Sequence, residues 1–287
     1  MSQYQIITDS GCDLPKDKLE QLGVTLVPLT VNFRGESLED SVDEGIKTLY
    51  DGFRAGEAAS TSAINPSRWA AAMESVLQEG KDVLVIAFSS GLSTTYQSAV
   101  IAANELLEAY PQRQIKVVDS LCASLGQGLL VWYACQKQSQ GLSLLDLAAW
   151  LEENRMHLCH WFTVDDLMYL KRGGRVSATT ALLGTMLNIK PVLHVDNEGH
   201  LINVAKTRGR KAAIDALAAK AVQQGLPGQN ELMYICHGDC LEDAQYLAKK
   251  LKETTGVKEV FIGYTGAVIG SHSGPGTLAL FFLGSER

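Results

Sequence analysis

The residues best suited to chemistry in this chain are hydroxyls gathered at two turns. Ser89-Ser90-Gly91-Leu92-Ser93-Thr94-Thr95 follows the continuous apolar run Asp82–Phe88 and precedes a helical pattern. A turn from a buried strand into a helix sets hydroxyls and free backbone N–H groups at the carboxyl edge of a sheet, where they can hold an anion or a carboxylate. Ser93 would also cap its own helix, and the roles are compatible because a ligand oxygen can share the same N–H cluster. A nucleophile elbow is the competing reading. It requires Gly-x-Ser-x-Gly, and Gly91-Leu92-Ser93-Thr94-Thr95 lacks the second glycine, although His237 or His272 could serve as base and Asp239 could orient it.

Ser60-Thr61-Ser62, read as a loop before Pro66, is the second hydroxyl group and could line a pocket with neutral donors. Lys171-Arg172-Gly173-Gly174-Arg175 is a glycine-hinged basic loop suited to phosphate or to a carboxylate-rich surface. It lacks the Walker A spacing and is no nucleotide cradle by itself. The glycine-rich stretch Gly263–Gly276 must turn tightly, and it carries His272. His157, Cys159, His160, Cys236, His237 and Cys240 have metal-ligand chemistry but no paired Cys-x2-Cys or His-x3-His spacing, so no metal is expected. Gly126-Gln127-Gly128 has no third glycine and no helix-opening context, which argues against a dinucleotide site.

The elements that must position these residues alternate. Strands are expected at Tyr4–Thr8, Val24–Phe33, Asp82–Phe88 and Ile115–Val118, with helices between: one led by Pro15, one opened by a Ser41-Val42-Asp43-Glu44 capping box, and one started by Asn65-Pro66. A helix from Ser93 to Ala109 follows the third strand, and Leu121–Gln138 and Ser143–Arg155 read as two more. Such alternation is the signature of crossovers around a parallel sheet. After His157 the pattern changes: Cys159–Val164 is a strand, Asp165–Leu170 a short helix and Ser177–Leu187 a helix. Pro191–Val195 and Leu201–Ala205 form a hairpin across Asn197-Glu198-Gly199. Helices at Lys211–Gln223 and Leu241–Lys252 then alternate with strands at Leu232–Cys236, Val260–Tyr264 and Leu278–Leu283.

A length of 287 residues suggests two domains or one large one, and the change of pattern near Glu152–Leu158 places two at 1–157 and 158–287. With 46% hydrophobic and 20% charged residues and a mean hydropathy of +0.02, the chain is of ordinary globular composition. A net charge of −7 is a poor start for nucleic-acid binding. The densest apolar runs fall short of the ~18 residues of a membrane span, and no signal peptide is visible. Six scattered cysteines do not read as a disulfide framework, so a cytoplasmic location is expected.

Six stretches in order resemble the DegV family of bacterial fatty-acid-binding proteins. They are Thr8-Asp9-Ser10-Gly11-Cys12-Asp13-Leu14-Pro15, the Ser89–Ala99 stretch, Val118-Asp119-Ser120 with Gly126-Gln127-Gly128, Asp166–Arg175, Asn188–Leu193, and His272-Ser273-Gly274-Pro275-Gly276. The resemblance spans about residues 3–284 and implies an α/β fold. A parallel-sheet N-terminal domain would join an α/β C-terminal domain, with a long lipid buried between or beside them. It implies a non-catalytic carrier without cofactors that presents the carboxylate of a bound long-chain fatty acid to a partner fatty acid kinase for acyl-phosphate formation. Thr61 and Ser93 would bind the carboxylate, with His272 and Ser62 in support and Thr94 beside Ser93. Position 94 is Thr where the family usually has Gly, and the loop after Thr61-Ser62 is one residue longer before its proline. Arg172 and Arg175, basic in an acidic chain and expected to face water from a mobile loop, would guide docking to an acidic face of the kinase or to anionic lipid head groups in a transient meeting with a membrane. The rivals are a serine acyl hydrolase using Ser93 and a sensor module for a compact polar molecule.

Overall fold

The computed structural model describes residues 4–43, 45–177, 188–226 and 228–287. The first strands are β1 (Tyr4–Asp9), β2 (Thr25–Val27), β3 (Thr30–Phe33), β4 (Glu36–Glu39), β5 (Ser60–Ser62), β6 (Asp82–Ala87) and β7 (Ile115–Asp119). Later come β8 (Leu158–Thr163), β9 (Ile189–Val195), β10 (Leu201–Arg208), β11 (Leu232–His237), β12 (Glu259–Tyr264) and β13 (Leu278–Leu283). The helices up to β8 are α1 (Lys16–Leu22), α2 (Ile46–Arg54), α3 (Pro66–Gln78), α4 (Thr95–Ala109), α5 (Leu125–Ser139) and α6 (Leu144–Asn154). After β8 come α7 (Met168–Arg172), α8 (Arg210–Gln224), α9 (Leu241–Thr255) and α10 (Ala267–Ser273).

The expected parallel sheet is present, in the order β2-β1-β6-β7 with every pairing parallel. Val83, Leu84, Val85 and Ile86 are fully buried, as a strand covered on both faces requires. The second sheet runs β10-β9-β8-β13-β11-β12, antiparallel except for the β11–β12 pair. Among the described residues, every strand of the first sheet precedes Leu158 and every strand of the second begins at Leu158 or later. The α/β architecture that the resemblance implies is the one observed.

Helix α5 joins the two sheets. It lies against β8, β11 and β13, and its apolar side chains share one core with Ile6, Leu84 and Ile86 on one side and Phe162, Tyr234 and Phe281 on the other. The glycines of Gly126-Gln127-Gly128 serve this approach. A Cβ at 126 would fall 2.1 Å from His160 Nε2, and one at 128 would fall 2.7 Å from the Cys12 carbonyl oxygen.

Several local expectations change in three dimensions. Val24–Phe33 is two strands, because Pro28 interrupts it: β2 joins the parallel sheet and β3 pairs antiparallel with β4 and β5 in a separate small sheet. The helix expected to open at the Ser41-Val42-Asp43-Glu44 capping box starts later. Ser41 Oγ accepts the Asp43 N–H at 3.0 Å, and α2 begins only after Gly45, whose φ is +74°. Glu44 lies outside the described residues. The expected Leu121–Gln138 helix starts at Leu125, because Leu121 and Ser124 hold left-handed φ values of 50° and 55°. The helix expected at Ser177–Leu187 falls on residues 178–187, outside those described. The six cysteines are free thiols, and no described helix is long and apolar enough to cross a membrane.

Candidate functional site

In the parallel sheet, β2 is added on one side of β1 while β6 and β7 extend the other side. The chain thus switches direction between β1 and β6, and ligands of open α/β sheets collect outside the carboxyl ends of such strands. The Ser89–Thr94 turn leaves β6 there. A cavity of about 450 Å³ lies against it, lined by Leu29, Phe88 and Leu92 from the first half of the chain and by Phe162, Val195, Leu201, Ala279 and Phe281 from the second sheet and its hairpin. Val268, Ile269 and His272 of α10 close another wall.

Thr61, Ser62, Ser93, Thr94 and His272 all line this one cavity. Ser60-Thr61-Ser62 is not the loop expected from its polarity but β5, the strand that pairs Val31 with Thr61. Strand alternation then half-buries Thr61 while Ser60 and Ser62 are exposed. Thr61 Oγ1 lies 2.8 Å from His272 Nε2. Burial, aided by the Arg175 charge, lowers the His272 pKa to about 4, so the imidazole is neutral near pH 7. Its Nδ1 has no hydrogen-bond partner among the described residues. With its proton on Nε2, His272 donates to Thr61 Oγ1 and leaves the threonine proton for an anionic oxygen.

Ser93 has a matching arrangement. Its Oγ accepts the Thr95 N–H at 3.3 Å and lies 2.9 Å from Thr95 Oγ1. It therefore satisfies the first turn of α4, as a cap would, and the fully buried Thr95 hydroxyl can donate to it. The serine proton is then free for a ligand, beside the positive end of a fifteen-residue helix. Thr95 was not singled out by the sequence, since nothing in its type separates it from Thr94. Thr94 itself is exposed and makes no side-chain cap.

This pairing also bears on the hydrolase reading. The side-chain hydrogen bonds of Ser93 go to Thr95, and His272 pairs with Thr61 instead. His237 accepts the Cys240 N–H at Nδ1. No histidine among the described residues is hydrogen-bonded to Ser93 as a general base would be. The described residues also hold no group of three or more His, Cys, Asp or Glu side chains placed for a metal.

The two arginines of the basic loop part company. Arg172 is exposed and stacks its guanidinium 4.4 Å from the centre of the Tyr169 ring. Arg175, expected to face water, is half-buried in the cavity wall because its guanidinium is spent on backbone. Its Nε and Nη2 donate to the Leu92 carbonyl at 3.1 and 2.9 Å, and Nη1 donates to Gly173. The loop is thereby tied to the Ser93 turn and brings a positive charge to the cavity. The cavity also touches His160, which the sequence offered only as a metal candidate. His160 Nδ1 donates to the Leu158 carbonyl, Nε2 accepts the Ala123 N–H, and burial keeps the ring neutral.

A family model described as "Uncharacterised protein, DegV family" matches residues 3–285. A DegV domain-containing protein of Clostridium perfringens is 44% identical over 289 residues, covering 100% of this chain and 99% of its own. A structure of a DegV family protein from Thermus thermophilus, described for its fatty acid binding, is 34% identical with a TM-score of 0.86, over 99% of this chain and 100% of that one. DegV of Bacillus subtilis, described as a fatty acid binding protein, is 30% identical with a TM-score of 0.84, over 99% and 100% of the two chains.

Proposed function

This chain belongs to the DegV family, and from that premise we propose that it binds a long-chain fatty acid non-covalently and presents the carboxylate to a fatty acid kinase for acyl-phosphate formation. One observation carries the reading: a largely apolar cavity of about 450 Å³ includes both backed hydroxyls, Thr61 with His272 and Ser93 with Thr95. A carboxylate leaving water needs several donors, since an unpaired buried charge is very costly. Thr61 and Ser93 each offer a proton, and Arg175 adds a cation whose hydrogen bonds, among the described residues, go to the Leu92 and Gly173 carbonyls and to no carboxylate. The acyl chain takes the apolar remainder. At about 0.8 kcal/mol per buried methylene, a chain of about sixteen carbons gains on the order of 10 kcal/mol before the costs of binding, enough to hold lipid without a covalent bond.

In this reading the chain supplies no catalytic group, and Arg172, exposed beside the cavity wall, meets the kinase. Native mass spectrometry of the purified protein followed by organic extraction tests the carrier role. A free fatty acid should be released in near one-to-one ratio, with no ATP hydrolysis by the protein alone. A compact polar molecule in its place would favour a sensor, and turnover of an activated acyl ester lost in Ser93→Ala would favour a hydrolase.

A further inference from the structure

The helix that carries His272 has no cap of its own. Gly266 stands at the N-cap of α10 and offers no side chain, yet the Val268 N–H is satisfied: it donates to Asp40 Oδ1 at 2.9 Å. Asp40 directly follows β4, is only 4% exposed, and is fixed by its own N–H to the Leu29 carbonyl at 2.9 Å. Strand β4 pairs Glu39 with Thr30, and β5 pairs Ser62 with the same Thr30. The carboxylate that caps α10 and the threonine that meets His272 thus hang from one small sheet.

We propose that Asp40 is a positioning residue for the carboxylate end of the cavity, capping α10 from the small sheet and so setting where His272 meets Thr61. This rests on the fatty-acid reading above. Val268 and His272 are four residues apart, about 6 Å along the axis and on one face of the helix. Both line the cavity. Because α10 has only seven residues, its two ends move together. One end is held by Asp40 and the other by Thr61, so the contacts close a ring through β4, β3 and β5. Asp13 adds a steric wall at the same place, with its Oδ1 2.4 Å from where a Cβ on Gly266 would lie. Removing the Asp40 acceptor leaves a buried N–H unpaired and frees the start of the helix to shift.

The test compares Asp40→Ala, Asp40→Asn and wild type at pH 8, where Asp40, raised to about 6 by burial, is ionised. Palmitic acid and 1-hexadecanol are the two probes. Asp40→Ala should weaken palmitic acid about five- to tenfold, the worth of a helix cap, and leave the alcohol within about twofold. Asp40→Asn keeps an oxygen for Val268 and should restore the acid. The imidazole ¹⁵N signals of His272 in the lipid-free protein should move both in Asp40→Ala and in Thr61→Val, and stay in place in Asp40→Asn. If Asp40→Ala does not fold, Asp40→Glu displaces the acceptor by one methylene and should give the same split. Equal loss for both probes, unmoved His272 signals, or failure of Asp40→Asn to rescue would overturn the proposal. Absence of palmitic acid binding by wild type would instead sink the fatty-acid reading, and the His272 signals would still judge Asp40.

Discussion

Ser93 is placed by a turn between β6 and α4, two elements contiguous in sequence, whereas Thr61 reaches the same cavity from an edge strand whose neighbours are β3 and, through it, β4. Each hydroxyl is backed by a second donor. For Ser93 it is Thr95, two residues away; for Thr61 it is His272, 211 residues away. One arm of the site is thus local and the other is assembled by the fold. The local arm should tolerate disturbance elsewhere, while the assembled arm should register any shift between the small sheet and α10.

The sharpest way to break the comparison is to remove both hydroxyls. Ser93→Ala and Thr61→Ala each delete a donor to a charged oxygen, worth about 1.5–3 kcal/mol or roughly ten- to a hundredfold in fatty-acid affinity. If the arms act independently, the double variant should lose about 3–6 kcal/mol, measured by lipid titration of folded protein. A double variant no weaker than either single one would show that the two hydroxyls work as one unit.

The assembled arm has a pH signature that the local arm lacks. His272 is held at about 4 in the folded protein against an ordinary value of 6.5, so between these values the unfolded chain binds the extra proton. The stability tied to the neutral ring is complete above pH 6.5 and is lost as pH falls toward 4. Asp9 and Asp40, raised by burial to about 7 and about 6, act oppositely: their contribution is complete below 3.8 and is lost as pH rises through those values. Comparing His272→Gln with wild type cancels the aspartates. The variant should gain relative stability as pH falls from 6.5 to 4, approaching about 3 kcal/mol in urea unfolding. His160, His194 and His237, also lowered by burial, leave a residual acid slope in both proteins.

The same division explains what could be read in the sequence. The strand–turn–helix around Ser93 was legible because the apolar run at Val83–Ile86, the hydroxyls and the helix lie next to one another. The Asn65-Pro66 start of α3 was legible for the same reason, with Asn65 Oδ1 accepting the Arg68 N–H. The small sheet was not. Strand β3 alternates and falls inside the expected Val24–Phe33 strand, but β4 is wholly exposed and β5 is a run of hydroxyls, so neither alternation nor hydrophobicity marks those two. Thr61 could be nominated by type and by family resemblance, but its contact with His272 is purely tertiary. Arg175 was misjudged because glycines around it suggested a mobile loop, whereas the Leu92 carbonyl anchors it. The Gly126 and Gly128 pair likewise has a meaning only once α5 is seen between two sheets.

A milder disturbance sharpens the local arm. Thr95→Val keeps shape at a fully buried position and removes the hydroxyl that backs Ser93. Fatty-acid affinity should fall by about 0.5–1.5 kcal/mol, less than for Ser93→Ala, since the serine still accepts the backbone N–H of residue 95. A loss equal to that of Ser93→Ala would mean that Thr95 itself touches the ligand.

The smallest effect on lipid should come from Arg172, and its neighbour supplies the contrast. Both arginines sit in one loop, but only Arg175 lines the cavity, where its guanidinium holds the Ser93 turn through the Leu92 carbonyl. Arg172 is exposed and rests on Tyr169, whose hydroxyl donates to the Phe53 carbonyl at 3.1 Å. Reversing Arg172 to Glu therefore changes the surface charge without touching the cavity, and lipid content should stay within about twofold of wild type. With a fatty acid kinase present, phosphorylation of the bound lipid should slow, and more severely at low salt, where the screening length is about 30 Å at 0.01 M against about 8 Å at 0.15 M. Arg175→Glu should do the reverse in order of severity, losing lipid first, because it sets a carboxylate where the ligand carboxylate is expected. Equal loss of lipid in both variants would place Arg172 in the ligand site as well.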